Sequence, residues 1–326
     1  IGASMGIGAA THTTSFRGKS LADDLPVLLD VLSDVLIHPV FQDDEFNRLK
    51  SEKLTGLAIQ EQDTGSRAAL AFDELAYPDH PYSIPGSGFV ETVQGLQRAD
   101  SEAFHAGCFG PQGMLLAITG AVRAKDAVDH VRAYLGSWSN PDRIRQPELP
   151  DLSDQIRLFR KDIMLPEKFQ SDLVIGVPGP GRSDPLYLAA ALGNNILGRF
   201  GLFGRIGDRV RDAEGLAYYA YSSLGGGPGP GPWKVSAGVN PANVERALVI
   251  IREELERFVS EPVTEEELQE NKTHFIGRLP LRLESNEGVA ASLISMERYG
   301  LGLDYYQRYP QLIEEITPEQ ILRVAR

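Results

Sequence analysis

Arg211 and Tyr218 bracket the run Arg211-Asp212-Ala213-Glu214-Gly215-Leu216-Ala217-Tyr218, which reads as the last turn of a helix followed at once by a strand. Gly215 stands where helices commonly close on a left-handed residue. Such a corner can bring a guanidinium and a phenol to one carbonyl, the first as a planar forked donor, the second as a single O–H donor. Spacing alone leaves a second reading open, in which Arg211 serves the carboxyl end of its helix and Tyr218 is half-buried core.

The other chemical signals are thinner. Gly2-Ala3-Ser4-Met5-Gly6 has the form of a serine-hydrolase nucleophile elbow, but that elbow needs a helix directly after the serine. Here Ile7 to Ser15 is small, Thr-rich and strand-like. Gly6-Ile7-Gly8 is too short for a nucleotide fingerprint. Asn271-Lys272-Thr273 fits a glycosylation acceptor yet falls mid-helix, and His105 with Cys108 lacks further ligand types nearby, which points to helix-end packing. Glu265 to Glu267 is an acidic helix start favoured by the dipole. Gly225 to Gly231 is either a mobile loop or a long hairpin connection; composition leaves both open.

The elements that must position such residues follow from composition and periodicity. The 326 residues are 42% hydrophobic and 24% charged, enough for a real core and, at about 150 residues each, for two domains. The uncharged stretches are broken by Gly and Pro short of the ~20 apolar residues of a membrane span. No basic-then-apolar export signal opens the sequence, so the expected compartment is the cytoplasm. Acidic residues number 45 against 32 basic ones, a net charge of −13 that repels phosphate backbones and argues against nucleic acid as a partner. The single cysteine, Cys108, rules out an internal disulfide framework and a Cys-rich zinc site.

The pattern also repeats. Apolar residues at Leu21, Leu25, Leu28, Leu32, Val35 and Leu36 run up to Pro39. The same spacing recurs at Val244, Leu248, Ile251, Leu255, Phe258 and Val259 and runs up to Pro262. All six of each set fall on one helical face. Each run is followed by an acidic helix start, at Asp43-Asp44-Glu45-Phe46 and at Thr264-Glu265-Glu266-Glu267-Leu268, and Thr264 with Glu267 has capping-box spacing. These matches predict a duplicated α+β module: two tandem units, each a mainly antiparallel sheet with helices packed on one face.

The expected organisation is a first module over 1–138, a Pro-rich linker over 139–155 and a second module over 156–326. A strand is expected within 9–18, then helices near 20–37, 43–62, 65–76 and 99–107, a strand at 113–119 and a helix at 124–135. In the second module, strands are expected at 155–162, 169–177, 216–223 and 233–240. Helices are expected near 184–198 and 203–213 and over most of 242–313. Residues 156–223 have no counterpart in the first module. That leads us to expect a missing amino-terminal segment of about 70 residues and a carboxyl-terminal one of about 30.

Arg-x3-Gly-Leu-Ala-Tyr, with Leu202-Phe203 upstream, resembles the second module of the insulinase/pitrilysin zinc metallopeptidase family, which includes the mitochondrial processing peptidase. Gln170 to Pro180 is similar to the opening strand of that module, Asn194-Asn195-Ile196-Leu197-Gly198 to a helix end in it, and His38-Pro39-Val40-Phe41 to a helix boundary in the first. The resemblance covers almost the whole chain. It implies paired clamshell halves enclosing an unfolded peptide, with Arg211 and Tyr218 as the substrate-binding and catalytic residues that the second module supplies. It also implies zinc, held in the family by a His-x-x-Glu-His motif with a distal Glu. The six histidines, His12, His38, His80, His105, His130 and His274, do not form that motif, because no two are four residues apart. The distal Glu position falls at Gly56 to Ala58, none of which can bind zinc, although a shift of several residues would reach Glu61.

No metal ligand is therefore assigned. Zinc is expected in a partner subunit or in the missing amino-terminal segment. The expected function is the zinc-free, Arg/Tyr-bearing subunit of such a peptidase, working with a homologous zinc-bearing partner or as a homodimer. A truncated catalytic chain and a non-enzymatic scaffold, like the core proteins of the respiratory bc1 complex, are the alternatives.

Overall fold

The computed structural model describes residues 2–145, 147–152, 157–199 and 204–326. The elements run in order as β1 (Ser4–Ala10), β2 (Thr13–Lys19), α1 (Leu25–Ile37), α2 (Asp43–Gln62), α3 (Thr64–Ala76), α4 (Val90–Gly95), α5 (Arg98–Cys108) and α6 (Ala124–Leu135). They continue as β3 (Ser171–Pro178), α7 (Tyr187–Gly198), α8 (Gly204–Gly207), a π-helical turn (Asp208–Ala213), β4 (Ala217–Leu224), β5 (Pro232–Val239), α9 (Val244–Ser260), α10 (Glu265–Leu283), α11 (Asn286–Arg298), α12 (Tyr305–Glu314) and α13 (Pro318–Ala325).

Packing divides the chain into two compact units that interleave along the sequence. One comprises Ile1–Leu57, Gly86–Glu148 and Leu283–Arg298; the other comprises Ala58–Pro85, Leu149–Arg282 and Tyr299–Arg326. One crossing point, between Glu148 and Leu149, lies in the Pro-rich 139–155 segment.

The first unit carries a two-stranded antiparallel hairpin, β1 with β2, in register from Ser4–Lys19 to Ala10–Thr13. Both faces of it are largely solvent-exposed. Leu29 and Leu32 of α1 and Ala127 and Leu135 of α6 are among its buried residues. In α5, His105 Nε2 lies 2.9 Å from the Leu36 carbonyl and the ring stacks on Phe109, which is the helix-end packing expected of it.

The second unit is built on an antiparallel sheet ordered β3-β5-β4. Alternation along the strands sorts its faces. Leu173 and Ile175 of β3, Val235, Ala237 and Val239 of β5, and Ala220 of β4 pack into a core with Leu192, Ile196, Ile251, Phe258, Leu268, Ile313 and Ile321. The opposite face carries Asp172, Lys234 and Gly238. There α3 lies against β3, with Lys234 over the Phe72 ring at 5.4 Å and Thr64 hydrogen-bonded to Asp172.

The α+β architecture matches the sequence expectation, and so do the bounds of most helices. α2 and α6 occupy the residues expected of them. Thr264 and Glu267 make the reciprocal capping box, with Glu267 N–H donating to Thr264 Oγ1 and Thr264 N–H to the Glu267 carboxylate. Three expectations need correction. The strand expected within 9–18 is two strands joined by a tight turn. Residues 113–119 and 157–162 pair with no strand among the described residues, and a strand persists only where a neighbour completes its ladder. Leu158 is 98% exposed, while Arg160 and Lys161 are drawn out to Glu245 and Glu74. Gln155 and Ile156, at the start of that expected strand, lie outside the described residues.

Candidate functional site

The corner between the helix at 204 and β4 holds both residues singled out for chemistry. Its backbone departs from an α-helix at Asp208, where the widened turn begins. Such turns are rare and recur at functional sites. Arg211 lies within it, half-buried, and its carbonyl accepts the N–H of Gly215 at 3.0 Å. Gly215 has φ +63°, the left-handed conformation that closes the turn and directs the chain into β4. Leu216 N–H then reaches back to the Val210 carbonyl at 3.0 Å.

On the strand side the ladder is interrupted. Ala217 pairs with Val239 and Tyr219 with Gly238, which leaves Tyr218 as the extra residue of a β-bulge. A bulge re-aims the side chains around it. Ala217 and Ala220 both turn to the helix-packed core, so two consecutive tyrosines turn away from it. Tyr218 is 65% exposed. Arg211 and Tyr218 thus occupy the two sides of one corner, the first half-buried and the second presented to solvent. Leu202 and Phe203 of the motif lie outside the described residues.

The corner is clamped from behind by arginine–carboxylate pairs that periodicity did not reveal. Arg205 Nε and Nη2 donate to the two carboxylate oxygens of Glu267, each at 2.6 Å. Arg205 Nη1 lies 3.7 Å from Glu254 Oε1 on α9, and Glu254 is also approached by Arg257 at 3.5 Å. Arg209 pairs with Glu253, and Arg246 with Glu214. Burial works to raise the Glu267 carboxyl, but hydrogen bonds from Arg205 and Thr264 outweigh it and hold the group at about 2. The capping-box spacing was the visible signal for Glu267; nothing local signalled that it also binds Arg205.

The Gly-rich stretch 225–231 is the β4–β5 connection, pinned on two sides. Tyr299 donates to the Gly226 carbonyl at 3.1 Å and the Arg182 N–H to the Gly227 carbonyl at 2.8 Å. The Arg182 guanidinium lies among the rings of Tyr187, Tyr299 and Tyr305, at 4.7, 5.9 and 5.5 Å.

Elsewhere the candidate chemistry resolves to structure. Ser4 opens a strand, not a strand-to-helix elbow. Asn271 is buried in α10, accepting from Asn195 Nδ2 at 2.6 Å and donating to the Glu267 carbonyl, so it offers no glycosylation acceptor. An open depression of about 470 Å³ in the first unit, lined by Asp34, His38, Tyr134 and Trp138 among others, contains neither Arg211 nor Tyr218.

Among the described residues no three His, Cys, Asp or Glu side chains are grouped to hold a metal ion. Gly56 and Leu57 sit inside α2, while Glu52 and Glu61 are engaged by Arg48 and Arg67. The described residues do not group into a zinc site.

A family model described as the peptidase M16 inactive domain matches residues 95–275. The chain belongs to that family. An uncharacterized zinc protease of Streptomyces coelicolor is 27% identical over the whole of this chain and 72% of its own length. The mitochondrial-processing peptidase subunit beta of Saccharomyces cerevisiae is 22% identical over 90% of this chain and 66% of its own. A peptidase M16 inactive domain from Pseudomonas fluorescens superposes with a TM-score of 0.88 at 26% identity, covering 99% of this chain and 77% of that one. The insulinase-like resemblance seen in the motif is therefore membership of the M16 family. No helix among the described residues is long and apolar enough to cross a membrane.

Proposed function

We propose that this M16 inactive-domain chain is the Arg/Tyr-bearing half of a two-subunit zinc peptidase, derived from a duplicated module. Exposure of the Tyr218 phenol at a bulge, across one corner from Arg211, carries this reading. In it, Tyr218 donates its O–H to the oxyanion forming at the scissile carbonyl, and the planar donors of Arg211 hold backbone carbonyls of an extended peptide. A homologous partner subunit holds zinc and supplies the activated water. The yeast relative, named as one subunit of a processing peptidase, supports a divided assembly. For the duplication, support comes from element order. A hairpin followed by long helices occurs twice, and the starts of α2 and α10, Asp43 and Glu265, are separated by the same interval as those of α3 and α11, Thr64 and Asn286.

The test is Tyr218→Phe in the complex purified with its zinc-bearing partner, assayed on an unstructured quenched-fluorescent peptide. Turnover is expected to fall by roughly 10–100-fold while KM changes little, as for loss of an oxyanion donor. Unchanged turnover would leave Tyr218 without a catalytic role and the chain as a scaffold subunit.

A further inference from the structure

Asp172 on β3 is the register partner of Gly238 on the central strand, and Gly238 is in turn the partner of Tyr219 on β4. The three residues form one row across the sheet. Gly238 has no side chain to fill the middle of that row, and the Tyr219 ring lies over it; a Cβ built on Gly238 would stand 2.5 Å from Tyr219 Cε1. The phenol thereby spans a whole strand and donates its O–H to Asp172 Oδ1. Gln170 Nε2 donates to the same oxygen at 2.9 Å, and Thr64 Oγ1, in the first turn of α3, donates to Oδ2. Burial, and then the Asp172 carboxylate, push the Tyr219 phenol well above its ordinary value, so it remains the donor at neutral pH.

This row sits at the bulge that turns Tyr218 outward. A bulge residue has no ladder partner of its own, and a strand can slip by one residue unless something specifies its register. In the regular register Tyr218 would face Gly238, and Tyr219 would be driven toward the helix-packed core where Ala220 now fits.

We propose that Asp172 and Tyr219 are positioning residues that lock the bulge at 217–219 and so hold Tyr218 in its outward presentation. The proposal rests on the catalytic reading of Tyr218 given above. Gly238 is part of the device, since any side chain there would displace the Tyr219 ring.

Two readouts test it. In Tyr219→Phe, which removes one O–H, amide hydrogen exchange at 217–219 is expected to rise about tenfold, with the β3–β5 ladder still protected. In the complex with the zinc-bearing partner, the same variant should lower kcat on the quenched-fluorescent peptide by about tenfold with KM little changed. Combining it with Tyr218→Phe should cost little more than Tyr218→Phe alone, because both act through one phenol. Gly238→Ala, which keeps every polar group of the row, should reproduce the exchange result. Unchanged exchange at 217–219 in both variants would overturn the proposal. So would full turnover in Tyr219→Phe where Tyr218→Phe is impaired, which would leave the peptidase reading standing. If Tyr218→Phe proves inert, that reading fails, and the exchange measurement alone decides whether the row holds the bulge.

Discussion

Glu267 joins three jobs in one residue. It caps α10 through Thr264, forms a two-pronged pair with Arg205 and, through its main-chain carbonyl, satisfies the buried Asn271. Its folded value of about 2 lies below the ordinary 4.5, so its contribution to stability is complete above about pH 4.5 and is lost as the pH falls toward 2. Urea denaturation across that range should show Glu267→Gln less stable than the wild type by up to about 3 kcal/mol at pH 7, with the difference closing near pH 2. A constant difference at all pH values would mean that the loss is one of packing and not of charge. Arg205 depends on the same group. With Glu267 neutral, the guanidinium loses its two-pronged partner and keeps the more distant Glu254 at 3.7 Å, and a buried cation with weakened pairing is costly.

At the level of elements, one corner combines three departures from regular structure: a π-helical turn, a left-handed glycine and a bulge. Each alone is a small cost, and together they set where Arg211 and Tyr218 emerge. Among the described residues, no heavy atom beyond its own chain neighbours lies within 4 Å of a Cβ built on Gly215, so the cost of a side chain there is conformational and not steric. Gly215→Ala should therefore destabilise by about 1 kcal/mol. In thermal melts that corresponds to about 2–4 °C for a unit of this size. Gly215→Asn should lose less, since Asn tolerates the left-handed region. A melt unchanged by Ala would mean that the corner does not require this conformation.

Over the whole molecule the two units are unequal in how they bury their strands. The sheet of the second unit is sandwiched between its helical core and α3, while β1 and β2 of the first are largely exposed, with Leu28 of α1 set against Gly18. A two-stranded sheet with so little of it covered is marginal in water. Native-state hydrogen exchange should accordingly find amides of 4–10 and 13–19 among the fastest of any strand, and those of β5, α7 and α9 among the slowest. Protection of β1 equal to that of β5 would contradict this description of the first unit. Interleaving of the two units along the chain also means that α2 and α10 each run across a unit boundary.

Helix positions, the stops at Pro39 and Pro262, the Thr264–Glu267 cap and the motif around Arg211 and Tyr218 were all legible in the chain, because each depends on residues a few positions apart. Periodicity placed Ile251 and Phe258 on the buried face of α9 but could not place Glu254 there, since its burial is made tolerable by Arg205 and Arg257. The strands expected at 113–119 and 155–162 are absent over their described residues for the complementary reason: a strand is defined by its neighbour, and composition carries no information about one. The bulge, the row from Asp172 across Gly238 to Tyr219, and the clasp of Arg205 on Glu267 were decided only by tertiary structure. Each joins residues distant in the chain, and its energy exists only once the sheet and helices have brought those residues into contact.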